Sequence, residues 1–137
     1  MESKRIIAIV EKGPDGLYSV YSDDNIGKSY LGGFGESVSE AKEDFEASIK
    51  EAIAEAAEDG FGTIERSDIK VSYHYDIPSL FNYFDFINVS KFAEYAGINE
   101  SKMRAYKSGS AFPGEKTTGK IRNAIQRIEE EFSSISL

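Results

Sequence analysis

The order of apolar and polar positions divides the chain into two stretches with different periods. In the first, apolar runs are short and mostly strand-like. From Val89 onward they recur at spacings of three and four, as on helices. Ile6–Val10 (IIAIV) is continuously apolar and rich in β-branched residues, which predicts a strand. Lys12-Gly13-Pro14-Asp15-Gly16 is a turn, and Leu17–Tyr21 is a second strand with Tyr18 and Val20 on one face, so the two form a hairpin. Polar Ser22–Gly27 predicts a loop. Lys28–Phe34 (KSYLGGF) predicts a third strand whose adjacent glycines permit a bulge or a close backbone approach. A phosphate-cradling loop is disfavoured there, because no Gly-Lys-Ser/Thr comes after it.

Ser37-Val38-Ser39-Glu40 is a capping box, and the helix it opens is expected to run from Val38 to about Glu58, where Asp59-Gly60 stops it. Val38, Ala41, Phe45, Ile49, Ala52 and Ala56 form one buried stripe. The opposite face carries Glu40, Glu43, Asp44, Glu46, Glu51 and Glu55. Ile69–Ile77 alternates, with Ile69, Val71, Tyr73, Tyr75 and Ile77 on one face, as in a half-buried strand. The fold class expected is α+β. Residues 1–77 are read as a β-β-β-α-β domain, an antiparallel sheet covered on one face by one helix, and residues 78–137 as an all-α domain. Pro78 suits a first helical turn, and aromatic Ser79–Phe86 predicts a short helix packing against the helices C-terminal to it.

Val89–Gly109 reads as two short helices hinged at Gly97. Ala93 is small enough for a close crossing, Gly97 supplies the left-handed turn, and Asn99 caps the second helix, which runs to about Ser108. The spacing Ala93, Gly97, Met103, Tyr106 is that of a DNA-binding helix-turn-helix. Phe92, Ala93, Ala96, Ile98, Met103 and Tyr106 are the inward set. Ser101, Lys102, Arg104 and Lys107 point outward: Arg104 is suited to read guanine, and Lys102 and Lys107 to hold phosphates. A last helix is expected from Thr117 or Thr118 to Ser133, with Ile121, Ala124, Ile125, Ile128 and Phe132 as its buried stripe. Its Glu129–Glu131 run opposes the helix dipole.

Charge sharpens this division. The 137 residues carry a net −8, but residues 1–78 hold 8 Lys/Arg against 17 Asp/Glu, and residues 79–137 hold 8 against 7. Lys116, Lys120 and Arg122 add to the cations after Asn99, and Lys116 and Lys120 complete the DNA-binding candidates. The acidic helix face has two readings, a solvated surface or a surface for a basic partner built on Glu40, Glu43, Asp44 and Glu51. No cysteine is present, which excludes a disulfide framework and thiolate metal sites. The apolar run near the N-terminus is too short for a signal peptide and no stretch reaches membrane length, so a cytoplasmic protein without a membrane partner is expected. The one histidine, His74, shares a strand face with Asp76, but no nucleophile motif accompanies the pair. Asp15 with Asp23-Asp24 matches no calcium loop. No catalytic residue, metal site or cofactor is therefore expected.

The front half resembles the HicB antitoxin family in the strand ending IVEKG, the Asp-Gly turn before Leu17–Tyr21, and the Ser37-x-x-Glu40 helix start after a third strand. Asn25-Ile26-Gly27 stands where that family usually carries Pro-Gly-Cys. The back half is similar to the Cro/repressor-type helix-turn-helix, with Ala93, Gly97, Ile98, Lys107, Ser108, Gly109 and Pro113 in the usual places. The resemblance implies an antitoxin that neutralises a small basic mRNA-cleaving toxin (HicA-like) and represses its own operon. It would bind operator DNA as a homodimer or higher homo-oligomer. An orphan regulator, or a protein-interaction module without DNA binding, is the alternative.

Overall fold

The computed structural model describes residues 4–137. The chain forms two units, the first ending at Tyr83 and the second spanning Phe84–Leu137. It is α+β, with four strands and five α-helices among the described residues. No helix among the described residues is long and apolar enough to cross a membrane.

The first unit holds β1 (Lys4–Lys12), β2 (Tyr18–Ile26), β3 (Ser29–Gly35), α1 (Val38–Glu58), β4 (Ile69–Tyr75) and α2 (Ile77–Tyr83), with a 3-10 turn at Arg66–Asp68 before β4. The sheet order is β3-β2-β1-β4. β1 pairs antiparallel with β2, and β2 with β3, but β4 lies parallel to β1, with Lys4 opposite Ile69 and Val10 opposite Tyr75. The sheet is thus mixed, where the order of elements predicts an antiparallel one. The two hairpins make β3 run in the same direction as β1. α1 then crosses one face and brings the chain back, so the next strand must run as β3 does.

β2 also continues through the expected loop. Its Asp23-Asp24-Asn25 stretch is irregular between Ser22 and Ile26, yet it stays bound to β1 through side chains. Ser22 Oγ donates to the Ile7 carbonyl (2.7 Å), and the Ile7 amide donates to Asp24 Oδ2 (2.9 Å). Polar side chains here take over from the backbone ladder, which propensity alone does not anticipate.

The core lies between the sheet and α1. Ile6, Ala8 and Val10 of β1, Tyr18, Val20 and Ile26 of β2, and Leu31 of β3 are buried against all six residues of the α1 stripe. Phe45 is fully buried and meets Tyr73 edge-on at 6.4 Å. Two glycines of β3, Gly33 and Gly35, set how near the helix comes. A Cβ on Gly33 would lie 2.4 Å from the Phe45 nitrogen and 2.6 Å from the Ala41 carbonyl oxygen, so β3 and α1 touch backbone to backbone.

α2 is capped by Asp76, whose Oδ1 accepts from the Ser79 amide (2.9 Å). Asn82 Oδ1 accepts from the Val38 amide at 2.9 Å. These bonds hold α2 in the first unit, so that unit extends past the boundary expected after Ile77. The helix also ends at Tyr83 rather than Phe86, and Phe86 is 73% exposed.

The second unit contains α3 (Val89–Ala96), α4 (Glu100–Ser108) and α5 (Glu115–Ser133). Phe92, Ala93, Ala96, Met103, Tyr106, Ile121 and Ala124 are buried. The expected α5 stripe is buried only in its first half, for Ile125 is 38% and Phe132 60% exposed. The 19 residues of α5 outrun helices of 8 and 9 residues, so Phe132 in its last turn is left exposed while Ile128 stays half-buried.

Candidate functional site

The α3–α4 pair is built by its termini. Asn88 Oδ1 accepts from the Lys91 amide (2.9 Å) and Asn99 Oδ1 from the Lys102 amide (3.1 Å), capping both helices. Gly97 sits at φ 73°, where its amide and that of Ile98 close the end of α3 onto Glu94 and Ala93. Gly109, at φ 83°, ends α4. α3 and α4 pack together, with Met103 and Tyr106 of α4 and Phe92, Ala93 and Ala96 of α3 buried. That orientation turns Ser101, Lys102, Arg104 and Lys107 outward, and all four are exposed, as are Lys116 and Lys120.

These six are not equivalent. Lys102, Lys107 and Lys116 take part in no ion pair among the described residues. Arg104 Nη1 lies 2.5 Å from Glu100 Oε1, which also accepts from Ser90 Oγ of α3 at 2.5 Å. The Ser90 hydroxyl first, and the Arg104 guanidinium second, hold the Glu100 carboxyl below its ordinary value. An approaching acceptor therefore competes with Glu100 for Arg104. Lys120 Nζ donates to the Gly97 carbonyl (3.3 Å), tying α5 to the turn between α3 and α4. Arg127 does the same for α3. It donates to the Tyr95 carbonyl (2.9 Å) and lies over the Tyr95 ring at 4.3 Å.

The acidic face of α1 separates in the same way. Along the free edge of β3, the Gly32, Phe34 and Glu36 amides donate to Ser48 Oγ (3.2 Å), Asp44 Oδ2 (2.9 Å) and Glu40 Oε2 (2.8 Å). One side chain per helical turn thus closes a strand edge that would otherwise accept a foreign strand. Glu46 grips Arg66 with both oxygens, at 2.6 and 2.7 Å, and Glu55 accepts from Ser29 Oγ at 2.7 Å. Of the four partner-binding candidates, Glu40 and Asp44 hold the fold. Glu43 and Glu51 remain as exposed acids with no bond or ion pair among the described residues.

Sequence reasoning missed one cluster. Lys42 Nζ lies 4.0 Å from the Tyr73 ring centre, 3.5 Å from that of Tyr83 and 5.0 Å from that of Tyr75. It borders a cleft of about 610 Å³ with Ser39, Glu43 and Lys50 on its rim. Burial pulls the Lys42 ammonium down to about 8. Burial likewise raises the Tyr73 and Tyr75 hydroxyls. Alternation along β4 signalled two of the rings; no local pattern brings α1 and α2 to them.

Three of the residues weighed for catalysis and metal binding, Asp76, Asp15 and Asp24, are used structurally, and His74 is exposed. Asp76, paired with His74 in the sequence pattern, accepts from the Ser79 and Lys12 amides, both at 2.9 Å. Asp15 accepts from the Leu17 amide (3.0 Å) and Asp24 from the Ile7 amide (2.9 Å). No group of three or more His, Asp or Glu placed to hold a metal ion occurs among the described residues.

No family model, curated protein or solved structure matches the chain.

Proposed function

We propose that the protein is a DNA-binding transcriptional regulator of the HicB-like antitoxin kind, acting in the cytoplasm. Its second unit is a helix-turn-helix that presents α4 to operator DNA. Its first unit takes a small basic HicA-like toxin, and the complete protein represses its own operon as a homo-oligomer. The observation that carries the DNA reading is the outward face of α4. Ser101, Lys102 and Lys107 are exposed, and the two lysines have no ion pair among the described residues. Two capped helices and a left-handed glycine hold them on a rigid element. Lys102, Lys107 and Lys116 position the helix on phosphates, Lys120 braces it, and Arg104 reads a base after exchanging Glu100 for it.

Binding to DNA from upstream of the protein's own reading frame, measured by fluorescence anisotropy from low to moderate salt, tests this. Lys102→Ala and Lys107→Ala should each lower the salt slope by about 1 across all sequences. Arg104→Ala should cost about 1–3 kcal/mol at one base pair. No binding at low salt sinks the proposal. The toxin reading is tested by co-purification with the product of a short basic neighbouring reading frame, where Glu43→Lys with Glu51→Lys should weaken the complex.

A second reading, a protein-interaction module without DNA binding, is favoured by the Glu100–Arg104 pair and the net charge of −8. Co-purification of the basic partner without any DNA binding would select it.

A further inference from the structure

Among the described lysines, Lys42 alone is not exposed. α1 carries it toward β4 and α2, where the Tyr73 and Tyr83 ring centres lie 4.0 and 3.5 Å from Nζ. Nζ donates to the Tyr75 hydroxyl at 2.5 Å. Lys42 takes part in no ion pair among the described residues. Glu46, one turn along the same helix, is gripped by Arg66 instead. A half-buried lysine kept for its charge needs an acid beside it. This one has ring faces, a phenol and the open cleft of about 610 Å³.

Such a setting suits an amine that reacts as the free base. Burial holds Lys42 at about 8 rather than the ordinary 10.5. About a tenth of it is therefore unprotonated at pH 7, against about 0.03% for an ordinary lysine. The rest of the cleft selects what reaches it. An aromatic ring joined to Nζ would lie against the Tyr73 and Tyr83 faces that the amine now meets. Lys50 also lines the cleft, eight residues further along α1 and so about 12 Å away along the helix axis. It is exposed and takes part in no ion pair among the described residues, so it is available to an anion. Glu43, on the same rim, repels an anion beside it and leaves the Lys50 end as the place for one.

We propose that Lys42 is an amine nucleophile and that this cleft takes a small aromatic aldehyde bearing an anionic group, bound to Nζ as an imine. The neutral amine attacks the carbonyl carbon, the carbonyl π pair moves to oxygen, and one proton passes from nitrogen to that oxygen. The carbinolamine then loses its hydroxyl and the remaining nitrogen proton as water, which leaves the C=N bond. Nothing is oxidised or reduced. Tyr75 positions Nζ through its hydroxyl, Tyr73 and Tyr83 flank the aromatic ring, and Lys50 holds the anionic group. The site lies wholly in the first unit and is independent of the regulator reading.

Imine trapping on the full chain tests it. The protein is incubated at pH 7 with 4-formylbenzoate and sodium cyanoborohydride, which reduces the imine to a stable amine, and the labelled peptides are followed by mass spectrometry. Lys42 should be labelled at least tenfold faster than any other lysine, and its rate should saturate with aldehyde concentration, as binding in a cleft requires. Lys42→Met should remove the fast phase and leave the slow labelling of the other lysines unchanged. Benzaldehyde, which lacks the anion, should label Lys42 several-fold more slowly. Lys50→Ala should bring 4-formylbenzoate down to the benzaldehyde rate. Labelling of Lys42 no faster than the exposed lysines, or a rate that rises linearly without saturation, overturns the proposal. Equal labelling by the two aldehydes, or no effect of Lys50→Ala, overturns the selection of an anionic ligand.

Discussion

Helices α1 and α4 both turn charged faces outward, but only one of those faces is used by the fold. On α1, Glu40 and Asp44 bind the edge of β3, Glu46 binds Arg66 and Glu55 binds Ser29. On α4, Lys102 and Lys107 have no ion pair among the described residues, and Arg104 is held only by the exposed Glu100 and its neighbour Ser101. The acidic face is longer and more highly charged, yet half of its partner-binding candidates are structural. The number of charges on a helix thus says little about its availability to a partner. The use each charge already has within the chain says more, because an engaged carboxylate is held in place by the chain and has fewer free lone pairs and less freedom to turn toward a partner.

The comparison can be broken by substitutions that remove different kinds of support. The largest effect is expected under α1. Phe45 is fully buried, and Phe45→Ala should cost about 3–5 kcal/mol in urea unfolding of the full chain. Met103→Ala, beneath α4, should cost about 2–5 kcal/mol and loosen the helix that presents the cations, and with it the DNA binding proposed above. Lys102→Ala with Lys107→Ala should instead change stability by no more than about 0.5 kcal/mol. A larger loss would mean that α4 uses its cations as α1 uses its acids.

A smaller effect separates the acids from one another. Asp44→Ala leaves the Phe34 amide without its acceptor and should cost about 1 kcal/mol. Glu43→Ala, one residue away, should cost about 0–0.5 kcal/mol. Equal losses would erase the distinction between structural and free acids on α1.

An effect of similar size is a pH dependence of the first unit. The folded value of Lys42, about 8, lies below the ordinary 10.5. The unfolded chain therefore holds more protons across that window. The penalty of a desolvated ammonium is complete below pH 8 and is relieved as pH rises toward 10. Stability should rise there by about 1 kcal/mol, discounted for the partial exposure of the amine. Above about pH 10 the order reverses. Tyr73 and Tyr75, raised by burial, stay neutral in the fold while the unfolded tyrosines ionise. Lys42→Met should abolish the rise and keep the fall, measured by urea midpoints between pH 7 and 11.

Local pattern was enough wherever one element's own periodicity carried the information. The α1 stripe is buried residue for residue as its spacing requires, and Ser37, Asn99, Gly97 and Gly109 cap or end their helices where their chemistry demands. The outward placement of Ser101, Lys102, Arg104 and Lys107 belongs to the same class, since a helical period with Met103 and Tyr106 inward leaves them no other side. Tertiary structure decided what depends on partners distant in the chain. The direction of β4 is set by the α1 crossover. The strand character of Asp23–Asn25 comes from bonds to Ile7. The place of α2 depends on Asn82 meeting Val38, and the short buried length of α5 on the short helices beside it. In each case a hydrogen bond or packed face supplied by a distant segment outweighs a local preference of a few tenths of a kcal/mol, and a pattern read along the chain does not contain that distant partner.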